Sequence, residues 1–292
     1  MRAVRTSRRP IQEEKLLKKI HHVGVVVNSA DEALKFYRDA LGLHVTDDRV
    51  IEDQGVRGVL LKIGNSEIEL LEPTRDTGVA KFLASRGEGM HHICFESDDV
   101  DAELETARSR GIPLIDEKPR LGLAGMICFL HPKANHGVLV EFATPLVSGH
   151  QGAGASANAT HIDHIVISSN DSAATAKLFS ENLGIEIKRA MVRPGTGAHL
   201  EFAKLQEVIL EFAGPGEVKP YDEVKAKLSG VVLAVDDAQA TVAAIRAAGF
   251  PIGEPHPAVQ PGAVFTGMKG GTNGVPFGFI QYNALPIEQS AG

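Results

Sequence analysis

The sequence repeats itself, and that limits the folds open to it more than any other feature. IHHVGVVVNSADEALKFYRDALGL (20–43) aligns without a gap on IDHIVISSNDSAATAKLFSENLGI (162–185) at an offset of 142 residues, which sets His22 against His164. The same offset sets Glu69 of EIELLEP against Glu211 of VILEFAGP, and DDVDAELETARSRGIP (98–113) matches DDAQATVAAIRAAGFP (236–251). Each half repeats again more faintly. MHHICFESDDVDAELETARSRGIPL (90–114) echoes IHHVGVVVNSADEALKFYRDALGLH (20–44), placing His92 over His22. Four modules result, two per half, and the stretch GHQGAGASANAT (149–160) between the halves has the composition of a flexible connector.

Each module opens with a short β-branched or aromatic run, continues as an amphipathic stretch and ends in further apolar runs. In the first, Ser29 and Glu32 form a capping box, Ala33, Leu34, Tyr37 and Leu41 make one helical face, and Gly42 stands where the helix stops. Gly111, Gly184 and Gly249 punctuate the other three. VRGVLLKIG and IELLEP have strand length and composition. The expected fold is α+β: four βαβββ modules in two tandem domains. The expected boundaries are a basic arm over 1–19, a first domain over 20–146 (modules 20–75 and 90–146), a linker over 147–159, a second domain over 160–285 and a tail over 286–292.

Composition excludes several functions. With 292 residues, 43% of them hydrophobic, the chain can bury two cores. A net charge of −7, with lysine and arginine dispersed, gives no basic face for nucleic acid. No apolar run approaches the roughly 20 residues needed to span a bilayer. The opening MRAVRTSRRPIQEEKLLKK has no apolar core after its arginines and brings Glu13 and Glu14 early, so it reads as a solvated arm rather than a signal or transit peptide. Cys94 and Cys128 lie in apolar runs as two buried thiols, which fits a reducing cytoplasm.

The repeat also selects candidate ligands. Strand alternation predicts that only one histidine of each His-His pair faces a shared cavity, with His22 on the side of Gly24 and His21 on the other. Glu69 lies between Ile68 and Leu70, and Glu141 between Val140 and Phe142. A carboxylate in such an apolar strand is costly to bury unless it is compensated. Each module of the first half offers a histidine on its first strand and a glutamate on its last. Together His22, Glu69, His92 and Glu141 form a ligand set suited to one divalent ion, whether Zn, Mn, Co, Ni or Fe.

On these segments, with EDQGVRGVLLKIG, GMHHICFE and HPKANHGVLVEF beside them, residues 20–145 resemble the vicinal oxygen chelate superfamily, which includes the glyoxalases, and within it the methylmalonyl-CoA epimerase family. The resemblance implies a βαβββ pair curled around a metal, with those four residues as ligands, although the family often has Gln where this chain has Glu69. It implies interconversion of (R)- and (S)-methylmalonyl-CoA or a related acyl-CoA, the substrate chelating the metal through two oxygens while the α-proton leaves. Inversion needs proton-transfer groups on both faces. Some relatives carry a glutamate two residues after their QGV segment, where this chain has Gly58. Glu141 is therefore the candidate for one group, and Glu52, Asp53 or a water for the other. Lys133 of HPKAN is a candidate substrate contact.

In the second half Gly230 replaces His92 and Gly278 replaces Glu141, unless an insertion brings Gln281 into place. It reads as a degenerate copy that covers the active-site mouth, replaces a homodimer partner (a pseudo-dimeric monomer) or binds a regulator. The competing functions are a glyoxalase I type lactoylglutathione lyase, with the same ligand types, a ring-cleaving dioxygenase, and a metal-free binding protein on the same scaffold.

Overall fold

The computed structural model describes residues 17–146 and 159–283. The expected arm, linker and tail therefore lie outside the described residues, except that the first strand already begins at Leu17 and that Ala159, the last residue of the expected linker, is buried in the core. In the first half β1 (Leu17–Val26), β2 (His44–Ile51), β3 (Val56–Ile63), β4 (Ser66–Pro73), β5 (Gly89–Ser97), β6 (Arg120–Leu121), β7 (Met126–Leu130) and β8 (Leu139–Thr144) form one sheet, ordered β2-β3-β4-β1-β5-β8-β7-β6. Each module is a strand, a helix and three more strands, and the two first strands, β1 and β5, pair antiparallel at the centre. The strand ends at the two edges meet: Arg49 Nη2 donates to Gly122 O (3.3 Å) and Gln54 Nε2 to Leu121 O (3.0 Å), so the sheet curls into a trough.

The second half repeats the pattern with β9 (His161–Ser169), β10 (Ile187–Val192), β11 (His199–Leu205), β12 (Val208–Gly214), β13 (Ala226–Ala234), β14 (His256–Pro257), β15 (Val264–Gly267) and β16 (Phe277–Gln281), in the corresponding order. Register fixes the correspondence between halves. Gly24 pairs with His92 and Glu69, whereas Val166 pairs with Gly230 and Glu211; Cys94 pairs with Glu141, whereas Val232 pairs with Gly278.

Helices cover the outer faces. The first, α1 (Ala30–Leu34), is capped at Ser29, whose hydroxyl accepts from Glu32 N (3.4 Å). The box is only half formed, because the Glu32 carboxylate turns outward to Lys35 Nζ (2.6 Å). The helix then widens into a π-helix over Lys35–Ala40, closed by Leu41 N to Phe36 O (2.9 Å). The extra residue per turn turns both Phe36 and Tyr37 inward, where the simple periodicity placed Tyr37 alone. These rings meet the second half: Phe36 packs on Phe250 and Phe277, and Tyr37 OH donates to Thr272 O (3.3 Å). One apolar core, running from Ile20 and Phe95 to Phe212 and Phe279, is shared by both halves. The four stop glycines, Gly42, Gly111, Gly184 and Gly249, all adopt positive φ, the conformation for which a helix end selects glycine.

A further helix, α2 (Gly78–Arg86), links the two modules of the first half and presses Phe82 and Leu83 against Val26, Val56 and Leu71. It closes one end of the trough. Among the described residues no helix is long and apolar enough to cross a membrane.

Candidate metal centre

The four residues selected from the repeat meet on the inner face of the first trough. His22 Nε2 lies 3.4 Å from Glu69 Oε2 and 3.0 Å from Glu141 Oε2; His92 Nε2 lies 3.4 and 3.1 Å from the same atoms. The two Nε2 atoms are 2.9 Å apart. All four residues are buried, none more than 6% exposed. Neighbouring ligands about 2.1 Å from a shared ion stand about 3.0–3.4 Å from one another, so these separations suit a single divalent cation.

Charge makes the same demand. Burial opposes the ionised form of Glu69, but His22 and His92 outweigh it and hold its pKa at about 2; Glu141 is lowered in the same way. Burial likewise opposes charge on His22, yet the Glu69 and Glu141 carboxylates push it well above the usual imidazole range, and the same two carboxylates raise His92. Glu141 Oε2 accepts no well-formed hydrogen bond. Two anions and two imidazole nitrogens aimed at one point require positive charge there, from imidazole protons or from a cation.

The strand-alternation expectation for the histidine pairs was wrong. Ile20 pairs with Phe95 and His22 with Cys94, leaving His21 as an extra residue; Gly24 pairs with His92 and Val25 with Met90, leaving His91 as another. These are β-bulges, which break alternation locally and re-aim side chains. Ile20 and Val23 enter the core, so both residues between them turn to the trough. His21 Nδ1 then stands 2.9 Å from His22 Nδ1, and His91 Nδ1 stands 3.0 Å from His92 Nδ1. If each ligand histidine donates its Nδ1 proton to its neighbour, its Nε2 carries the free lone pair that a metal needs. Burial, reinforced by the adjacent ligand imidazole, lowers His21 and His91 to about 3, so both remain neutral acceptors.

Around this centre lie Glu67, which the sequence reading passed over, and Cys94, which it read as a buried thiol without placing it at the site. Glu67 is buried, accepts from Thr46 Oγ1 (3.0 Å) and stands 3.8 Å from His21 Nδ1. Cys94 is fully buried beside His22, and burial, aided by Glu141, raises its pKa far enough to keep it a thiol. The visible signal was the His-His doublet heading both modules.

Gly24 is where the His92 ring rests: a Cβ there would lie 2.1 Å from His92 Cε1. The other candidates fall elsewhere. Glu52 and Asp53 are exposed at the β2–β3 turn, with no hydrogen bond or ion pair to the cluster. Lys133 is exposed in a 3-10 turn (Pro132–Asn135) that joins the halves, Asn182 Nδ2 donating to Ala134 O (2.7 Å) and Ala226 N to His136 O (2.7 Å). Gly58 faces Glu69, its missing Cβ 3.8 Å from Glu69 Oε1.

The corresponding place in the second half is filled. His164 and Glu211 remain, 3.9 Å apart, with Asp163 as the bulge residue holding His164 Nδ1 at 2.7 Å. A Cβ at Gly278 would meet the Phe265 ring at 2.6 Å, so an aromatic side chain occupies the space that Glu141 takes in the first half. Gln281 does not substitute, because its Oε1 accepts from Ala238 N (2.9 Å) at a helix start.

The sequence profile of the Glyoxalase/Bleomycin resistance protein/Dioxygenase superfamily matches residues 21–129 and again residues 161–269. The chain belongs to this superfamily. Its N-terminal half is 37% identical over 128 residues to human mitochondrial methylmalonyl-CoA epimerase, a match covering 43% of this chain and 73% of that protein. It is 32% identical over 130 residues to the ethylmalonyl-CoA/methylmalonyl-CoA epimerase of Cereibacter sphaeroides, covering 43% of this chain and 97% of that one. Over both halves the fold is that of a mutant 4-hydroxymandelate synthase from Streptomyces coelicolor, with a TM-score of 0.69, 14% identity and coverage of 93% of this chain and 94% of that one.

Proposed function

We propose that the first half is a metal-dependent epimerase of carboxylated acyl-CoA thioesters, methylmalonyl-CoA foremost, working in the cytoplasm, with His22, Glu69, His92 and Glu141 as its metal ligands. The observation that carries this reading is the convergence of two inward-facing Nε2 atoms and two buried carboxylates in the half whose relatives are epimerases. When bound, a divalent ion supplies Lewis-acid polarisation of the thioester carbonyl, which acidifies the α-carbon.

The chain's own groups do the rest. His21 and His91, with Nδ1 2.9 and 3.0 Å from Nδ1 of His22 and His92, are placed to accept the proton that would hold each imidazole in the metal-binding tautomer. Glu141 is ionised at neutral pH, the state required to accept a proton, and its low pKa makes it a weak base that depends on an acidified substrate. Gly58 offers no side chain beside Glu69, and Leu123 Cδ2 lies 2.8 Å from its Cβ position, so apolar carbon packs that wall and limits access of bulk solvent; the group that serves the other face is not Gly58.

Metal analysis of the purified chain, followed by incubation with methylmalonyl-CoA in D₂O, tests the proposal. It expects about one ion per chain and wash-in of one deuterium at the α-carbon. A metal-loaded protein that exchanges no α-proton, yet converts a glutathione hemithioacetal, would move the assignment to the glyoxalase I chemistry.

A further inference from the structure

A cleft of about 760 Å³ lies between the halves, within the size range of ligand sites. The first half gives it Arg86 and His91; the second gives Ser168, Asn170, Lys225 and Lys227. Because His91 Nδ1 is 3.0 Å from His92 Nδ1, the cleft reaches to within one ring of the metal ligands. The degenerate half thus forms one wall of a cleft that ends at His91, the residue next to the candidate ligand His92.

That wall is cationic and lacks a neutralising partner. Lys225, immediately before β13, and Lys227 within it lie on the side away from Ala226 and Leu228, which alternate with them and pack against the shared core. The backbone between them is fixed by the bond from Ala226 N to His136 O across the halves. Lys225 has only a loose contact with Glu223 at 3.8 Å, both side chains more than 70% exposed, and no ion pair joins Lys227 or Arg86 to a carboxylate among the described residues. The cleft's own acid, Glu88, is engaged: its Oε1 accepts from Asn28 N (2.7 Å) and Asn273 Nδ2 (3.2 Å).

Register shows that the second half differs here from its counterpart. Lys227 pairs with Ser168 where Gly89 pairs with Val26 in the first half. A glycine and a buried valine correspond to a lysine and a serine. Loss of ligands accounts for the replacements at Gly230 and Gly278, but it supplies no reason for new cations at the edge facing the other half.

The geometry points to a substrate-anchoring role for the second half: Lys225 and Lys227, with Arg86 opposite, hold the phosphate groups of the CoA carrier while its thioester reaches the first half's metal centre. The inference rests on the acyl-CoA reading above. A nucleotide carrying several phosphates matches three cations of which only Lys225 has an ion contact, the loose one to Glu223, while Arg86 stacks on the Phe82 ring.

The full-length, metal-loaded protein is assayed with methylmalonyl-CoA and with the methylmalonyl thioester of pantetheine, which lacks the nucleotide; binding of free CoA is measured by calorimetry. In a Lys225→Ala/Lys227→Ala variant the ratio of kcat/KM for the CoA thioester to that for the pantetheine thioester should fall about tenfold or more, with free CoA bound correspondingly more weakly. A Lys225→Arg/Lys227→Arg variant should retain most of the preference. If wild-type protein turns over both thioesters and the ratio is unchanged in the alanine variant, the anchoring role is overturned and the epimerase reading stands. If wild-type protein epimerises neither, the epimerase reading falls, and lysine-dependent CoA binding would still support the cleft. Unchanged CoA binding in the alanine variant would overturn it.

Discussion

Replacing Gly24 by alanine adds one carbon at a point with almost no room. Its Cβ would lie 2.1, 2.3 and 2.8 Å from Cε1, Nδ1 and Nε2 of His92, against an ordinary contact of 3.4 Å or more. The imidazole must therefore retreat by about 1 Å or more. It has nowhere to go, since its other sides are packed by Phe129, His91 and His22, with ring centroids 5.4, 5.3 and 5.1 Å away. Metal–ligand distances tolerate only about 0.2 Å, so His92 leaves the ligand set. Metal affinity should fall by about 100-fold or more, beyond the range seen when a supporting residue alone is lost. Overpacking should cost about 1–3 kcal/mol of stability. Competition against a chromogenic chelator measures the first, and thermal melting of the ion-free protein the second. In the Gly24→Ala/His92→Ala double variant the stability loss should be largely relieved, a coupling that a double-mutant cycle reads. A Gly24→Ala protein with wild-type metal affinity and melting temperature would refute the argument.

Other expectations follow from the same geometry. His91→Phe and His21→Phe keep a ring in the bulge but remove the acceptor, so each should weaken metal binding about 10- to 100-fold while leaving the far-UV circular dichroism unchanged. Glu141→Gln protein that still holds its metal should lose most α-proton exchange; wild-type exchange would eliminate Glu141 as a proton-transfer group. The ion-free protein should lose stability as the medium becomes alkaline. His22 and His92 have raised values when folded, so their contribution is complete below the ordinary 6.5 and disappears as pH rises through the raised values. Glu69, at about 2 against 4.5, contributes above 4.5 and loses its contribution only as pH falls through about 2. Melting curves with chelator should show the alkaline loss and metal-loaded protein should not. In the second half, Gly278→Glu should destabilise by about 1–3 kcal/mol through collision with Phe265, and Phe265→Ala in the same chain should recover part of it, as denaturant titration would show.

The sequence alone determined the four modules and the four candidate ligands. Internal repetition survives in the identity of residues, and a histidine or glutamate set in an apolar strand is chemically conspicuous; module symmetry then says which of them belong together. Gly230 and Gly278 showed equally plainly that the second half lacks a complete set. Only tertiary structure decided the remainder. A β-bulge belongs to a pair of strands, not to either sequence, so the inward turn of His21 and His91 follows from how β1 and β5 register and overrides strand alternation. The close fit of Gly24 against His92, and the exchange of large and small residues to Val166 and Gly230 in the other half, likewise exist only across a strand pairing. Lys225 and Lys227 read as dispersed surface charge until the packing of one half on the other places them on a cleft that also reaches His91, next to the candidate metal centre.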